Sequence, residues 1–443
     1  MNHSIFTIQN LILIFFIFQG CHASREFHLQ YVFYKNLIYN EKLFGKFLHI
    51  TDLHVDPYYL ESSDPISFCH RYSPNPILNI AGKFGILSTP CDTPFALSNS
   101  TFEFMRSNFE DIDFIIYTGD AVRHDRDKLF KRTEDQVLDG HRRLVEYIQQ
   151  YFDLSKIKFM PSLGNNDEFE HNKLPKGPND LFSNLSQIWA PLNLNLTTHF
   201  LNGGYYRQDI HNKFSVLNLN SMYFYKKNKL LEDCNITDSA GTLQLEWLER
   251  ELKNARQEKR MVYISQHVPP VDDANEELYS PACFYKYVQL IGKYSDVICG
   301  HFTGHTDKDT LAFVTADEEK DKYSIFALNE THILSTIATN NVVLTLTNAP
   351  SVKPTHNPAI RLYEYSTTYR NFGVLKDYIQ YFVNLTEANE IGEAIWRVEY
   401  IASRTYGMNA LGARDWAMVL KEFQSPDSET WRLYVKHITV SGP

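Results

Sequence analysis

Short apolar runs alternate with longer amphipathic stretches along most of the chain. The apolar runs cover residues 47–50, 114–117, 158–160, 261–264 and 297–298 and are typical of buried strands. The stretches 128–152 and 240–257 lie between them, and the second carries Leu248 and Leu252 at helical spacing. Strands that alternate with helices in this way predict an α/β domain.

The pattern changes in the last third of the chain. Four further apolar runs, which we expect to form the second sheet of a sandwich, cover residues 311–313, 323–327, 342–346 and 360–365. From Lys376 onwards the pattern is helical, and we interpret Trp396, Trp416 and Trp431 as contacts that dock a C-terminal helical appendage. The sequence thus predicts a main domain over residues 45–370 and a helical subdomain over residues 371–443.

Polar clusters accompany five of the predicted strands. They are Asp52-Leu53-His54, Gly119-Asp120, Gly164-Asn165-Asn166-Asp167, His267 and Gly304-His305-Thr306-Asp307. Taken singly, such a cluster is more often a surface turn or a hydrogen-bonded side chain. In α/β domains, however, the loops at the carboxyl ends of strands carry the functional groups. Five clusters in this order therefore predict a metal site.

The residue types suit a hydrolase that uses two metal ions. Two divalent cations about 3.5–4 Å apart can clamp a phosphoryl group and activate water as hydroxide. Asp52 and His54 are close enough in sequence to reach one cation. Asn165 offers a neutral oxygen, and His267 and His305 offer nitrogen. Because at least one carboxylate has to bridge the cations, we expect a dinuclear centre with a shared aspartate.

Composition narrows the substrate classes. The chain of 443 residues has a net charge of −10 and is 43% hydrophobic, which is typical of a globular protein. Without a global basic excess, no nucleic-acid partner is expected. A polyanionic substrate would need a local basic patch in addition to metal. One such patch runs from Arg123 to Arg143, although its interspersed acidic residues also fit an ordinary solvated helix face.

The N-terminus carries a candidate targeting segment. Residues 11–18 are apolar and small residues follow up to Ala23, which is typical of a signal peptide over residues 1–23. The alternative is an uncleaved signal anchor that would hold the chain on a membrane, although the run is shorter than the ~20 residues of a span. The lack of Lys and Arg before the run weakens both interpretations. Six Asn-x-Ser/Thr sites support secretory entry and begin at Asn99, Asn184, Asn195, Asn235, Asn329 and Asn384.

Five cysteines follow the targeting segment. In an oxidising compartment we pair Cys69 with Cys91 and Cys234 with Cys283. Cys299 ends an apolar run, which favours a buried free thiol. The sequence alone does not prove this connectivity.

The ordered clusters resemble the signature of the calcineurin-like metallophosphoesterase superfamily, which runs Asp-x-His, Gly-Asp, Gly-Asn-His-Asp/Glu, His and Gly-His-x-His. Thr118-Gly119-Asp120 with His124-Asp125, and Ser265-Gln266-His267-Val268-Pro269-Pro270, are similar to its acid sphingomyelinase and endopolyphosphatase branch. The string from Gly164 to Asn172 most resembles fungal vacuolar endopolyphosphatases. The resemblance implies an α/β fold: a two-sheet metallophosphoesterase sandwich flanked by helices, with a C-terminal helical appendage.

Carried over residue by residue, the resemblance implies two metal sites. The first would use Asp52, His54, Asp120 and Asp307, and the second would use Asp120, Asn165, His267 and His305, with Asp120 as the bridge. Asp307 departs from the superfamily, which has a second histidine at this position. An oxygen ligand there favours Mn²⁺, Mg²⁺ or Co²⁺, although Zn²⁺ would also be accepted.

Asn166 stands where the superfamily usually carries the histidine that protonates the leaving group. Asparagine has no titrating proton to donate, and a phosphate leaving group hardly needs one. A phosphoanhydride substrate is therefore favoured over a diester of an alcohol. His124 and His171 are the remaining candidate catalytic donors, and Arg123 and Arg126 are the candidate phosphate-binding residues.

These features predict an endopolyphosphatase that hydrolyses internal phosphoanhydride bonds of inorganic polyphosphate. The resemblance implies a vacuolar location, in the lumen or anchored with a lumenal catalytic domain, with secretion as the alternative. Two other interpretations stay open at this point. One is a sphingomyelinase-like phosphodiesterase acting on a phosphodiester or nucleotide. The other is a pseudoenzyme that keeps the fold as a binding module, which the nearly complete ligand set disfavours. The sequence does not predict the oligomeric state.

Overall fold

Two mixed β-sheets form the centre of this computed structural model, which describes residues 43–317, 319, 322–328, 341–425 and 427–443. The candidate targeting segment at residues 1–23 and the glycosylation site at Asn329 lie outside the described residues. Within the described ranges, no helix combines the length and the apolar character needed to cross a membrane.

The strands follow one another along the chain with helices between many of them. In chain order they are Lys46–Ile50 (β1), Phe114–Tyr117 (β2), Lys158–Pro161 (β3), Tyr206–His211 (β4), Phe214–Asn218 (β5), Met261–Ser265 (β6), Ile298–Thr303 (β7), Thr310–Asp317 (β8), Lys322–Ala327 (β9), Val342–Asn348 (β10), Ala359–Tyr365 (β11), Leu375–Val383 (β12) and Trp396–Ile401 (β13).

The α-helices occupy the connections and the C-terminal end. They are Phe95–Asn108 (α1), Glu134–Tyr151 (α2), Asp180–Ile188 (α3), Thr198–Gly203 (α4), Ala240–Glu258 (α5), Pro281–Lys293 (α6), Leu385–Ile391 (α7), Ala402–Tyr406 (α8), Ala413–Phe423 (α9) and Glu429–Ile438 (α10). Helix α2 begins at a capping box, in which Thr133 and Gln136 each bond the other's backbone N–H. Helices α2 and α5 confirm the two amphipathic stretches predicted from sequence.

The strand order places the predicted polar clusters together. The first sheet runs β13-β12-β11-β1-β2-β3 and the second runs β4-β5-β6-β7-β10-β8-β9. Strands β1, β2 and β3 are parallel neighbours in the first sheet, and β5, β6 and β7 are parallel neighbours in the second. Since the carboxyl ends of parallel strands share one edge, the loops that follow them meet at that edge.

Aromatic side chains fill the space between the sheets. Phe47 of β1 stacks on Phe114 at a ring-centroid distance of 4.7 Å and on Tyr363 at 4.9 Å. From the second sheet, Tyr263 and Phe302 approach Phe47 at 5.5 and 5.4 Å. All five rings are fully buried, and their stacked, tilted and edge-to-face contacts are favourable aromatic geometries. The predicted two-sheet sandwich is confirmed.

The strands of the last third do not form one sheet as predicted. Strand β11 pairs antiparallel with β1 and so belongs to the first sheet, with Leu362 opposite Leu48. Strands β8, β9 and β10 do lie in the second sheet, but that sheet already starts with β4 to β7. The prediction failed because apolar runs predict strands without fixing their partners.

The expectation of an all-helical segment from Lys376 onwards is also wrong in part. Strands β12 and β13 extend the first sheet beyond β11. Along β12, side chains alternate between buried and partly exposed, as expected for a sheet strand rather than a helix. The predicted helical appendage is present from Ala402 onwards, where α9 packs against β10 and α10 packs against α9.

Both predicted disulfides are present. Cys69 pairs with Cys91 and Cys234 pairs with Cys283, while Cys299 is a free thiol that is partly buried. The first disulfide closes the segment between β1 and α1, and the second joins the loop before α5 to the start of α6. Both crosslinks thus constrain long connections rather than the central sheets.

Candidate metal centre

Backbone hydrogen bonds join the loops that carry the polar clusters. The N–H groups of Asp52 and His54 donate to the carbonyl oxygens of Gly119 and Asp120, each at 3.0 Å. The N–H of His305 donates to Asp52 Oδ2 at 3.0 Å, which connects the two sheets. All predicted ligands except Asp307 are brought into one contiguous group by these contacts and by those described next.

The first half of this group consists of Asp52, His54 and Asp120. His54 Nε2 lies 3.5 Å from Asp52 Oδ1 and 3.3 Å from Asp120 Oδ2. His54 Nδ1 lies 3.0 Å from the carbonyl oxygen of Val122, to which it must donate. In neutral His54 the lone pair of Nε2 therefore points at two carboxylates.

The second half consists of Asp120, Asn165, His267 and His305. His267 Nδ1 donates to the carbonyl oxygen of Thr118 at 2.8 Å, so the lone pair of its Nε2 faces inwards. That Nε2 lies 3.3 Å from Asp120 Oδ2 and 3.0 Å from Asn165 Oδ1. His305 Nδ1 lies 2.8 Å from the same amide oxygen. Asp120 Oδ2 is thus shared by both halves.

Lone pairs that face one another repel unless a positive charge lies between them. Protons can supply that charge: burial alone would lower the pKa of His267, but Asp120 and Asp52 raise it to about 9. Burial likewise opposes the charged form of Asp120, yet His267 and His54 hold its pKa well below the usual range. Divalent cations can supply the same charge, and carboxylate, amide and imidazole atoms are suitable ligands. The residues therefore fit divalent metal ions.

The backbone at these positions is unusual. Asp52, His54, Asp120, His305 and Asp307 have φ values of 51°, 40°, 61°, 76° and 60°, in the left-handed region that side chains other than glycine rarely adopt. Such conformations cost free energy and concentrate at functional sites. Five of the seven predicted metal ligands thus share a strained backbone.

Gly119 is required by a close approach of two loops. Its φ is +100°, and a Cβ built there would lie 2.7 Å from the backbone nitrogen of Gly164. A Cβ on Gly164 would in turn lie 2.1 Å from Asp120 Oδ1. The two glycines let the loops after β2 and β3 pack against each other beside the shared carboxylate.

Asp307 lies apart from the converging atoms. Its Oδ2 accepts a hydrogen bond from Thr355 Oγ1 at 2.8 Å and lies 3.7 Å from Lys353 Nζ. Its Oδ1 is buried, and no described residue donates a hydrogen bond to it. Direct contact with Asp52, His54 or Asp120 is not seen, so the ligand role of Asp307 stays a prediction.

Asn166 was predicted to occupy a catalytic position and instead holds the shared carboxylate. Its backbone N–H donates to Asp120 Oδ1 and its side-chain amide donates to Asp120 Oδ2, both at 2.7 Å. Because these two bonds fix both oxygens of Asp120, Asn166 is a positioning residue. Its amide cannot supply a titrating proton.

His171 also has a different role from the predicted proton donor. The Asn165 amide donates to His171 Nε2 at 2.9 Å. This bond fixes which end of the amide is oxygen, so that Asn165 Oδ1 faces His267 and His305. His171 is therefore a positioning residue for Asn165.

His124 lies beside the first half of the group. Its ring stacks on His54 at a centroid distance of 4.0 Å. Its Nδ1 lies 2.7 Å from Asp92 Oδ1, and its backbone N–H donates to Asp92 Oδ2 at 2.6 Å. Burial lowers the pKa of His124 to about 3, although Asp92 opposes that shift. Asp92 was missed by the sequence analysis, where its position directly after Cys91 was the only signal.

The two predicted phosphate-binding arginines have different environments. Arg123 is buried, with its guanidinium over the rings of Tyr58 and Phe130 at 5.5 and 4.9 Å, and it donates to the carbonyl oxygens of His124 and Phe130. Its predicted phosphate-binding role is therefore corrected, because the guanidinium is buried and both of its Nη atoms donate to groups of the protein. Arg126 is exposed and lines a small cavity together with His124.

Arg132, which the sequence analysis did not single out, holds two of the loops in place. It is buried, and its guanidinium donates to the carbonyl oxygens of Arg123, Asn166 and Glu168 at 2.7, 2.6 and 2.7 Å. The loop after β2 is thereby tied to the loop after β3. In the sequence, its only signal is its position within the basic patch from Arg123 to Arg143.

Comparison with known proteins agrees with this geometry. The chain matches the calcineurin-like phosphoesterase family over residues 45–303 and the C-terminal region of acid sphingomyelin phosphodiesterase over residues 332–442. The endopolyphosphatase of Debaryomyces hansenii is 36% identical over 296 residues, which are 64% of this chain and 40% of that protein. The chain thus matches well under half of the length of that relative.

Two further relatives are matched over more of their length. The cyclic GMP-AMP phosphodiesterase SMPDL3A of Homo sapiens is 31% identical over 90% of this chain and 83% of that protein. The sphingomyelinase phosphodiesterase C of Dictyostelium discoideum is 34% identical over 82% of this chain and 78% of that protein. Since the family match covers more than half of the residues, the chain belongs to the calcineurin-like phosphoesterases, in their acid sphingomyelinase-like branch, and is a hydrolase.

Proposed function

We propose that this protein is an endopolyphosphatase, which hydrolyses internal phosphoanhydride bonds of inorganic polyphosphate with two divalent cations. When bound, the cations would polarise the phosphoryl group and activate the attacking water. The sharing of Asp120 Oδ2 between His54 and His267 supports two ions rather than one. The amides of Asn166 and Asn165 keep the carboxylate and the two imidazoles in place for both.

The environment of Asn166 carries this proposal. In the superfamily a histidine usually protonates the leaving group. In this chain Asn166 stands at that position, and its side-chain amide donates a hydrogen bond to Asp120. A diester of an alcohol loses a strong base and gains about 10²–10⁴-fold from a proton donor. A phosphoanhydride releases a phosphate, which is already a weak base. An asparagine at this position should therefore lower the rate of hydrolysis least when the substrate is polyphosphate.

A phosphodiesterase of an alcohol or nucleotide is the second candidate. The Asp92–His124 pair supports it, because an imidazole oriented by a carboxylate is a common proton donor or acceptor in hydrolysis. The cyclic GMP-AMP phosphodiesterase and the sphingomyelinase relatives, which this chain matches over most of their length, also support it.

Substrate comparison distinguishes the two candidates. Purified protein should be incubated with long-chain polyphosphate, cyclic GMP-AMP and sphingomyelin, each with and without EDTA. We expect EDTA-sensitive cleavage of polyphosphate into fragments of intermediate length on a gel. Release of orthophosphate alone would mean cleavage from the ends. Efficient cleavage of either diester with intact polyphosphate would establish the second candidate.

Substitution of His124 sharpens the same distinction. For a diester substrate, His124→Gln should reduce kcat/KM by about 10²-fold or more, since a general acid–base group is lost. For polyphosphate we expect less than about a tenfold loss. His199→Gln is the matched control, because His199 is exposed on α4 and has no contact with the metal centre. Equally large losses of kcat/KM on both substrates would contradict the argument that the basicity of the leaving group decides the effect of His124.

We also propose a secretory-pathway location, with the vacuole as the favoured compartment. The two disulfides support an oxidising compartment. Of the Asn-x-Ser/Thr sites in the described residues, Asn99, Asn195, Asn235 and Asn384 are exposed enough to accept glycans. Protein made in a yeast secretory pathway should shrink on glycosidase treatment. An unglycosylated, fully reduced protein purified from its own cells would contradict this location.

A further inference from the structure

Side-chain contacts run in a continuous series across the metal centre. In order, the series consists of His124, His54, Asp120, His267, His305 and Tyr225. His124 is at one end, stacked on His54, and Tyr225 is at the other, with its hydroxyl 3.3 Å from His305 Nε2. Two exposed cations, Arg126 and Lys227, lie beside these two ends.

Arg126 lies at the His124 end. It shares the lining of a small cavity with His124 and Asp92. The acidic neighbours of Arg126 are used elsewhere: Asp125 accepts from the backbone N–H of Arg132, and Asp127 pairs with His70 and Arg71. Across the described ranges no carboxylate lies within 4 Å of the Arg126 guanidinium. Its charge is therefore available to a ligand.

Lys227 lies at the Tyr225 end. Its Nζ is 5.8 Å from the centroid of the Tyr225 ring. The neighbouring Lys226 pairs with Glu276, whereas Lys227 has no carboxylate within 4 Å in the part of the chain that the structure describes. Lys227 thus lies beside the tyrosine whose hydroxyl contacts His305 in the second half of the centre.

We propose that Arg126 and Lys227 bind phosphates on opposite sides of the scissile bond of a linear polyphosphate chain, so that the chain lies across the metal centre. This inference rests on the proposed function. A site that removes terminal phosphates needs the chain on one side only, whereas cations at both ends hold substrate on both sides and favour internal cleavage. In a protein with a net charge of −10, two unpaired cations at the centre also give a local attraction for a polyanion.

Each cation can be removed without changing side-chain length greatly. Arg126→Gln, Lys227→Gln and the double variant should be compared with wild type on long-chain polyphosphate. Bis(4-nitrophenyl) phosphate is the reference substrate, because its two flanking groups are uncharged. The matched control is Lys253→Gln with Lys376→Gln, two exposed lysines on α5 and β12 without ion pairs to described residues.

Loss of a charged contact should appear in substrate binding rather than in the chemical step. We expect each single variant to raise KM for long-chain polyphosphate about tenfold, with kcat changed less than about threefold. The ratio of kcat/KM for polyphosphate to that for the reference diester should fall by about the same factor. In both single variants, the rate should depend less steeply on salt concentration, since one screened contact is lost.

The outcomes separate this inference from the function on which it rests. Wild-type protein that leaves polyphosphate intact would overturn the proposed function. Wild-type protein that cleaves polyphosphate internally, with KM unchanged in both variants, would overturn the inference alone. Equal losses on polyphosphate and on the reference diester would also overturn it, because they would indicate damage to the metal centre. A raised KM in only one variant would show that substrate is held on one side only.

Discussion

Among the groups of buried charged side chains in the described residues, two differ in whether they contain their own permanent cation. The first is the candidate metal centre, which consists of the predicted ligands around Asp52 and Asp120. The second lies around Arg361, a fully buried residue of β11. Its guanidinium forms an ion pair with buried Asp309 and lies over the ring of Tyr378 at 4.7 Å. The comparison shows how buried charge can serve either structure or chemistry.

The Arg361 group pairs its charges within the protein. Arg361 Nε donates to Gln380 Oε1 at 2.7 Å, and Tyr400 donates its hydroxyl to Asp309. Gln380 in turn donates to Glu399 Oε2 at 2.7 Å. These contacts connect β11, β12 and β13 with the loop before β8. The group therefore joins the C-terminal part of the chain to the first sheet.

In the described part of the chain, the metal centre lacks an internal arginine or lysine that would pair with its carboxylates. Within the described residues, only histidines lie within ion-pair distance of Asp52 and Asp120, and neither Lys nor Arg does. Buried charges are normally paired because an unpaired charge is costly. We therefore interpret the group whose carboxylates need a bound cation as functional. The group whose carboxylate is paired with a buried arginine is interpreted as structural.

The largest effect is expected when the shared carboxylate of the metal centre is neutralised. Asp120→Asn should reduce activity about a thousandfold or more, because both halves of the centre lose an anionic ligand. Metal content measured by elemental analysis should fall in parallel. Asp111→Asn is the control, since Asp111 is exposed and its one ion pair with a described residue is to Lys46. Full activity of Asp120→Asn would contradict the proposed dinuclear centre.

Removal of the cation from the structural group should act on stability instead. Arg361→Met leaves Asp309 buried without its partner, which should cost about 3–5 kcal/mol of unfolding free energy. Denaturant unfolding measures this cost. The double variant Arg361→Met with Asp309→Asn should recover part of the loss, because no uncompensated charge remains. A loss of unfolding free energy below about 1 kcal/mol would contradict the structural role of the Arg361 group and thus its contrast with the metal centre.

A moderate effect is expected from a residue that acts on the metal centre indirectly. His171→Phe cannot accept the Asn165 amide, and loss of such supporting bonds typically costs 10–100-fold in metal affinity or activity. His171→Gln retains an acceptor and should restore most of the activity. If both variants are equally impaired, the role of His171 is not to orient Asn165.

The smallest effect is a pH dependence in the structural group. Burial is the main cause that raises the pKa of Glu399 from 4.5 to about 7. The folded state thus favours the protonated form, so its contribution is fully present below pH 4.5 and is lost as pH rises through 7. The Tm should be a few degrees lower at pH 8 than at pH 5, and less so in Glu399→Gln. Exposed Glu393→Gln should behave like wild type, and an unchanged pH profile in Glu399→Gln would contradict this assignment.

The metal centre was largely predictable because its signals are local. Each ligand follows a short apolar run, and parallel strands bring such positions to one edge. Asp120, Asn165, His267 and His305 therefore meet as the sequence suggested. The orientation of the amides was not predictable, since it depends on which atom of Asn165 faces His171.

The missed features depend on partners that are distant in sequence. Arg123 is buried because Tyr58 and Phe130 come from two different loops and enclose it. Asp92 reaches His124 only through the fold of the disulfide-closed segment before it. Strand β12 has an apolar pattern that also suited a helix, and the available edge of β11 decides its conformation.

The left-handed backbone of the predicted metal ligands has a consequence for attempts to increase the thermal stability of this protein. At Asp52, Asp120 and His305 the main chain itself would favour glycine, so replacement by glycine should relieve strain of roughly 1–3 kcal/mol per site. Selection for thermal stability alone would therefore favour glycine at these positions and would yield thermostable proteins without catalytic activity.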